Sequence, residues 1–220
     1  MILIDGGPDP AVLRAHLRKA GVRHIDLMIV SHRHADHTTG LVGLHVPVTR
    51  VWHPPQLGEG SPLDDLVAEQ GARGAEVGVP LVGTVAEVGS FTVEVLAPLR
   101  KYASPNDGSL VVRVTASGVD VLFSGDIEAI AQADLGPLRA DVLKVPHQGS
   151  ATSDLDWITA SAPAIAVISV GVNDFGHPSP QVIAAFEEAG VVVYRTDRDG
   201  TITLRLDKLA AARAPLPSHG

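Results

Sequence analysis

One short segment of this sequence contains most of its candidate chemistry, Ser31-His-Arg-His-Ala-Asp-His37. It follows the apolar run Ile25–Val30, which predicts a buried strand that ends where the segment begins. Its first two histidines are two positions apart in an extended turn and can point the same way. Imidazole and carboxylate groups suit zinc, manganese or iron, so the pattern favours a metal site over a merely solvated polar loop. The candidate ligands are His32, His34, Asp36 and His37.

Two later segments place an acidic or imidazole side chain directly after a predicted strand. Val121-Leu-Phe-Ser-Gly-Asp126 ends an apolar strand in Gly-Asp, and Leu143-Lys-Val-Pro-His-Gln-Gly-Ser150 places a histidine after another strand. Asp126 also fits an ordinary alternative, the N-cap of a helix predicted from Ile127. His147 likewise fits an ordinary loop histidine. On these two segments alone, both alternatives stay open.

The His-x-His-x-Asp-His arrangement after a strand resembles the signature of the metallo-β-lactamase superfamily. In that fold, helices cover two stacked β-sheets and a site for one or two metals lies at one sheet edge. The resemblance implies that His32 and His34 hold metal one, and that Asp36 and His37 hold metal two. The remaining implied ligands are Asp126, which would bridge the metals, and His147, at the second metal. Two divalent ions, manganese or zinc, are therefore expected.

Further segments resemble one branch of that superfamily, the soluble domain of the ComEC family of bacterial DNA-internalisation competence proteins. The segments are Ser104–Leu110, Lys144–Ser150, Asn173–Pro178 and Tyr194–Asp197. The family domain usually opens with two additional strands before the segment equivalent to Ile2–Pro8, where the given sequence begins. We therefore expect either that the true start lies upstream or that this sequence is a fragment of a longer membrane protein. The third metal-one histidine of the superfamily is replaced by Asn106 or Asp107, as is common in this branch. We therefore expect metal one to bind more weakly than metal two.

The order of predicted elements indicates the fold class. Strands and helices follow one another in mixed order with two β-rich stretches, which is typical of sheets covered by helices. We expect an α/β (α+β) fold, an αββα sandwich of the metallo-β-lactamase type that lacks its first strands. Residues 1–206 are predicted to form one hydrolase domain, and residues 207–220 a disordered tail.

Composition limits the possible chemistry and partners. The 220 residues include 17 basic and 25 acidic side chains, a net charge of −8, which excludes a module that grips nucleic acid by charge alone. The absence of cysteine excludes thiolate zinc sites, iron–sulfur clusters and cysteine nucleophiles. No apolar run approaches the roughly 20 residues of a membrane span, and Met1–Asp5 lacks the features of a signal peptide. We expect a cytoplasmic chain, or one associated with a membrane as part of a larger competence protein.

The predicted function is that of a metal-dependent phosphodiesterase or nuclease that hydrolyses DNA during uptake. Asp36 would orient the nucleophilic hydroxide, and His177 would act as a general acid or bind a phosphate. Ser150, and Asn173 within its family motif, are expected to contact the substrate. Ordinary alternatives are a turn residue that caps the next helix for His177 and a helix N-cap for Ser150.

Two other classes of function fit the same sequence. The fold also supports small-molecule hydrolases, so a lactonase, a thioesterase or a cyclic-nucleotide phosphodiesterase is the main alternative. A binding module with a decayed metal site is the third possibility. DNA is the expected partner in the first case, together with a membrane-channel domain in the same or a neighbouring chain.

Overall fold

The computed structural model describes residues 1–55 and 61–213, and its strands form two sheets. The first sheet is parallel throughout, in the order β1 (Ile2–Ile4), β2 (Ile25–Ile29), β3 (Val48–Trp52) and β4 (Glu76–Gly78). The strands of the second sheet lie side by side in chain order: β5 (Val85–Val88), β6 (Phe91–Ala97), β7 (Val111–Ala116), β8 (Val119–Phe123), β9 (Val142–Lys144), β10 (Ile165–Ile168) and β11 (Val192–Arg195). From β5 to β8 the neighbours are antiparallel, and from β8 to β11 they are parallel.

Eight helices accompany the two sheets in the described residues. They are α1 (Pro10–Lys19), α2 (Ala35–Thr38), α3 (Pro62–Ala72), α4 (Ala129–Leu135), α5 (Leu155–Ala160), α6 (Pro180–Glu188), α7 (Thr196–Asp199) and α8 (Leu206–Arg213). Leu13 of α1 and Leu63 of α3 pack on the first sheet, whereas Trp157 of α5 and Phe186 of α6 pack on the second. In the part of the chain that the structure describes, no helix is both long and apolar enough to cross a membrane.

The two sheets pack face to face through a shared apolar core. Leu27 and Ile29 of β2 meet Val93 and Val95 of β6 in one buried cluster. Alternate residues of β6 are buried, as expected for a strand that presents one face to a core. The predicted αββα sandwich is therefore confirmed.

The C-terminal segment corrects one expectation. Residues 207–220 were expected to form a disordered tail, but α8 occupies Leu206–Arg213. Leu206 and Leu209 pack beside Val142 and Ile165 of the second sheet. Burial of these apolar side chains stabilises a helix where composition alone indicated disorder. Residues 214–220 lie outside the described residues.

A glycine contact places the turn after β1 against the loop that follows β2. The amide of Gly40 donates to the carbonyl of Gly7 at 2.7 Å, and the amide of Gly6 donates to the carbonyl of His37 at 2.8 Å. A Cβ atom on Gly40 would lie 1.9 Å from the carbonyl oxygen of Gly6. Only glycine permits this approach, which also holds Asp5 beside the loop.

The substitution Gly40→Ala tests this contact. The added methyl group must displace the backbone of Gly6, so we expect it to lower the free energy of unfolding by about 1–3 kcal/mol. Urea unfolding measures the change. Gly78→Ala is the matched control, because a Cβ atom at Gly78 meets no atom within 4 Å. Equal unfolding midpoints for the two variants would contradict the prediction.

Candidate metal centre

The predicted ligands gather where strands of both sheets end. The His32–His37 loop follows β2, Asp126 follows β8, and His147 follows β9. Since β8 and β9 are parallel neighbours, their carboxyl ends meet at one edge of the second sheet. The sheets pack so that this edge faces the loop after β2. The site therefore joins the two halves of the sandwich.

Three buried side chains form the centre of this site. One ligand atom from each of His32, His37 and Asp126 lies within 4.8 Å of the other two. The Nε2 atom of His37 lies 3.1 Å from Oδ2 of Asp126, and Nε2 of His32 lies 3.9 Å from the same oxygen. His32 and Asp126 are each 1% exposed. Imidazole and carboxylate groups converging out of solvent form a suitable donor set for a divalent ion.

Two unpartnered atoms support this interpretation. The Nε2 atom of His32 and the Oδ1 atom of Asn106 are buried, and neither has a hydrogen-bond partner among the described residues. A buried polar atom without a partner costs free energy, and such atoms are uncommon in folded proteins. Both atoms are potential metal ligands. The residues present therefore fit a bound cation.

The other predicted ligands surround these three side chains. The ring of His34 is exposed and its centre lies 4.7 Å from the ring of His32. Oδ2 of Asp36 lies 3.7 Å from Nε2 of His37. Asn106 and His147 both contact Glu128, at 3.4 and 2.9 Å. The structure thus brings the predicted ligands to one place, with His34, Asp36, Asn106 and His147 outside the closest group.

Two carboxylates that sequence reasoning missed orient the ligand histidines. Asp5 contacts Nδ1 of His37 at 2.8 Å, and Glu128 contacts Nδ1 of His147 at 2.9 Å. A carboxylate on one ring nitrogen directs the other nitrogen, Nε2, toward a metal. Asp5 follows β1, the parallel neighbour of β2. Because the carboxyl ends of neighbouring parallel strands lie side by side, its position after β1 could have indicated that it lies near the His32–His37 loop.

The pKa values of the two central histidines are shifted in opposite directions. Burial, together with the charge of His37, lowers the pKa of His32 to about 3, so this ring is neutral and able to bind a cation. Burial also disfavours a charged His37, but Asp5 and Asp126 outweigh it and raise the pKa of His37 to about 10, so a cation bound at Nε2 would have to displace the proton shared with Asp126. Burial would raise the pKa of Asp126, yet the charges of Lys144 and His37 hold it well below its usual value.

The turn after β9 has an uncommon backbone. His147 and Gln148 both have positive φ angles, 44° and 53°. The left-handed region costs a residue with a side chain on the order of 1–2 kcal/mol. In return, His147 faces Glu128, and Nε2 of Gln148 donates to Oδ2 of Asp36 at 2.9 Å. Gln148 therefore holds a candidate ligand from the opposite sheet.

The structure removes the helix-cap alternative for Asp126. Helix α4 begins at Ala129 with Glu128 as its N-cap residue. The side chain of Asp107 accepts hydrogen bonds from the amides of Glu128 and Ala131, at 2.9 and 3.2 Å. Because Asp107 is engaged there, Asn106 is the candidate ligand of the pair.

The predicted substrate residues differ in what they contact. The ring of His177 lies 5.2 Å from that of His147, and burial and the charge of His147 lower the pKa of His177. His177 does not cap α6, which is capped by Ser179. The hydroxyl of Ser150 accepts from the amide and hydroxyl of Thr152. Asp154, not Ser150, caps the next helix.

Asn173 uses its side chain to bond to its own loop. Its Nδ2 atom donates to the carbonyls of Gly171 and His177, each at 2.9 Å. Its Oδ1 atom accepts from the amides of Phe175 and His177, each at 3.1 Å. These hydrogen bonds shape the loop that carries His177, and the expected contact of Asn173 with substrate stays a prediction.

The substitution His32→Ala tests the centre as a cation site. We expect it to weaken binding of Mn²⁺ or Zn²⁺ by at least about tenfold, because a buried ligand nitrogen is lost. Isothermal titration calorimetry of each ion measures the affinity. His24→Ala is the matched control, since His24 lies before β2 at the opposite end of the strand and contacts Thr49. Unchanged affinity in His32→Ala would count against the site.

Comparisons with known proteins also indicate a metal-dependent hydrolase fold. A sequence profile described as metallo-β-lactamase superfamily matches residues 1–171. ComE operon protein 3 of Bacillus subtilis (strain 168) is 31% identical over 205 residues, which is 88% of this chain and 26% of that protein. Competence protein ComA of Neisseria gonorrhoeae is 31% identical over 202 residues, 87% of this chain and 27% of its own length. The chain therefore spans about a quarter of these relatives.

Solved structures share the fold at low sequence identity. Tm1679, described as a metal-dependent hydrolase of the β-lactamase superfamily, has a TM-score of 0.59 at 16% identity over 93% of this chain and 88% of its own. Zn²⁺-bound PqqB from Methylobacterium extorquens has a TM-score of 0.53 at 16% identity over 92% and 83%. The profile match extends across the clustered centre from Asp5 to His147. On this match the chain belongs to the metallo-β-lactamase superfamily.

Proposed function

We propose that this chain is a metal-dependent phosphodiesterase that hydrolyses DNA. The observation that carries the proposal is the unpartnered Nε2 atom of His32, buried beside His37 and Asp126. The 31% identity to two competence proteins, over most of this chain, supports DNA uptake as the setting. The expected membrane-channel partner belongs to this proposal, in the same or a neighbouring chain.

The charge around the site supports a requirement for cations. Four carboxylates contact the central histidines or their neighbours: Asp5, Asp36, Asp126 and Glu128. Lys144 provides an opposing charge at 3.2 Å from Asp126. Without added cations, such a site repels a phosphodiester. When bound, divalent ions would activate a water molecule and neutralise the phosphoryl oxygens.

The ligand set divides into two groups around Asp126. His32, His34 and Asn106 would hold one ion, and Asp36, His37 and His147 would hold the other. Nitrogen and oxygen ligands suit zinc, and the share of carboxylate and amide oxygen also suits manganese. Hydrogen bonds within the chain fix this arrangement, because Asp5, Glu128 and Gln148 bond to His37, His147 and Asp36, respectively.

Two residues have proposed roles in the reaction itself. Asp36 would orient the attacking water, and its position is fixed by Gln148. His177 would donate a proton or hydrogen bond to the leaving oxygen. None of the described residues hydrogen-bonds to its ring nitrogens, so the ring is available to a substrate. Its loop lies beside His147, at the edge of the centre.

The substitution Asp126→Asn tests the proposed activity. Metal-stripped protein is given Mn²⁺ or Zn²⁺ separately, with linear single- and double-stranded DNA and a small phosphodiester reporter. We expect cleavage only with added ion, and a loss of roughly 100-fold or more in kcat/KM for Asp126→Asn, because even residues behind the ligands contribute about 10–100-fold. A thermal melt checks that the variant folds, and His24→Ala should retain activity.

The other outcomes separate the alternatives. Cleavage of the reporter without cleavage of DNA would indicate a small-molecule phosphodiesterase. Hydrolysis of a lactone or thioester, with no phosphodiester cleaved, would indicate the other small-molecule hydrolases. A folded protein that binds no ion in calorimetry would indicate a binding module and overturn the proposal.

A further inference from the structure

The loop that carries His177 also exposes an aromatic ring at the edge of the site. Phe175 is 82% exposed. Its ring stacks on that of His177, with centres 5.9 Å apart and planes 23° from parallel. The ring of His177 in turn meets that of His147. A single exposed apolar residue needs no explanation by itself. Phe175, however, is the outermost of three neighbouring rings that begin at the candidate metal ligand His147, and this arrangement suggests a function.

The loop is held in place, so the backbone position of Phe175 is defined. Oδ1 of Asn173 accepts from the amide of Phe175, and the other bonds of Asn173 close the loop around His177. The amide of Ser179 donates to the carbonyl of Gly149 at 2.8 Å, which ties the loop to the turn that bears His147. A loop that is already ordered loses little backbone freedom when a ligand packs on its side chain.

We propose that Phe175 is a stacking site for the nucleobase next to the phosphodiester bond that is cleaved. This inference rests on the proposed function, because it needs a nucleic-acid phosphate at the metal centre. The ring of His177 lies beside that of Phe175, and the exposed surface of the Phe175 ring is available to a base. Every base presents a π-face, so the site takes nucleotides with little sequence preference. Bases splayed from a single strand can stack there, whereas bases within a duplex stack on each other.

The negative net charge of the chain explains why an uncharged stacking contact at Phe175 would matter for binding. At −8, the chain cannot attract DNA through an overall positive field. Stacking on an aromatic ring needs no positive charge. It therefore provides affinity for a single strand beside a centre whose carboxylates repel phosphate. The ions bind the reacting phosphate, and Phe175 holds the adjoining base.

The test compares Phe175→Ala and Phe175→Trp on a single-stranded oligonucleotide and on the same oligonucleotide with abasic sites. Removal of the ring should lower kcat/KM for the ordinary oligonucleotide by roughly 10- to 100-fold, the usual value of one stacked base. Cleavage of the abasic oligonucleotide should not change. Phe175→Trp should retain cleavage of both. Val172→Ala is the control, since Val172 is a fully exposed residue of the same loop.

Each outcome decides the proposal. Equal losses on both oligonucleotides would show a structural role for Phe175 and overturn the stacking site, as would no loss on either. In both cases the proposed phosphodiesterase would stand, because the unaltered protein still cleaves. If the unaltered protein cleaves neither oligonucleotide with Mn²⁺ or Zn²⁺, the proposed function fails and this inference fails with it.

Discussion

The buried carboxylate of Asp126 is the group on which this structure depends. His37 and Lys144 contact its two oxygens, and Asp5 lies on the far side of His37. A carboxylate removed from water without such partners costs on the order of several kcal/mol. The series from Asp5 through His37 to Asp126 links the turn after β1, the loop after β2 and the end of β8. The charges are compensated only when the two sheets meet in this register, so the sandwich and the site require each other.

Close backbone approaches make this register possible. Gly125, directly before Asp126, has a φ of 54°, and a Cβ atom there would lie 2.6 Å from Cβ of Ser109. Gly40 fits against Gly6 with similar closeness. The turn at His147 adds two residues in the left-handed region. Strained or crowded backbone is concentrated at the site, where the surrounding core outweighs its cost.

Basic proteins use the same positive side chains to bind the reacting phosphate and the rest of a nucleic acid, whereas in the proposed function this chain would use different groups for each. The carboxylate and imidazole groups of the centre are suited to bind cations. Cations bound there would attract the phosphate that the rest of the chain repels. Affinity for the remainder of a nucleic acid must then come from contacts that do not need charge. In the proposed function, the exposed ring of Phe175 beside His177 would make such a contact. This division is consistent with a net charge of −8 in a chain proposed to act on DNA.

Residue types and local spacing predicted sheets covered by helices and a metal-binding segment at His32–His37, because these histidines directly follow an apolar strand. The roles expected of Asp126 and His147 came from the resemblance to the superfamily, since their local sequence left ordinary alternatives open. The groups that orient those ligands were not predictable in this way. Asp5 is 32 positions from His37, Glu128 is 19 from His147, and Lys144 is 18 from Asp126. Folding also decided that Asp107 caps α4 while the Oδ1 atom of Asn106 has no partner among the described residues. Local spacing specifies which side chains share a turn, but packing between distant strands specifies which buried charge meets which partner.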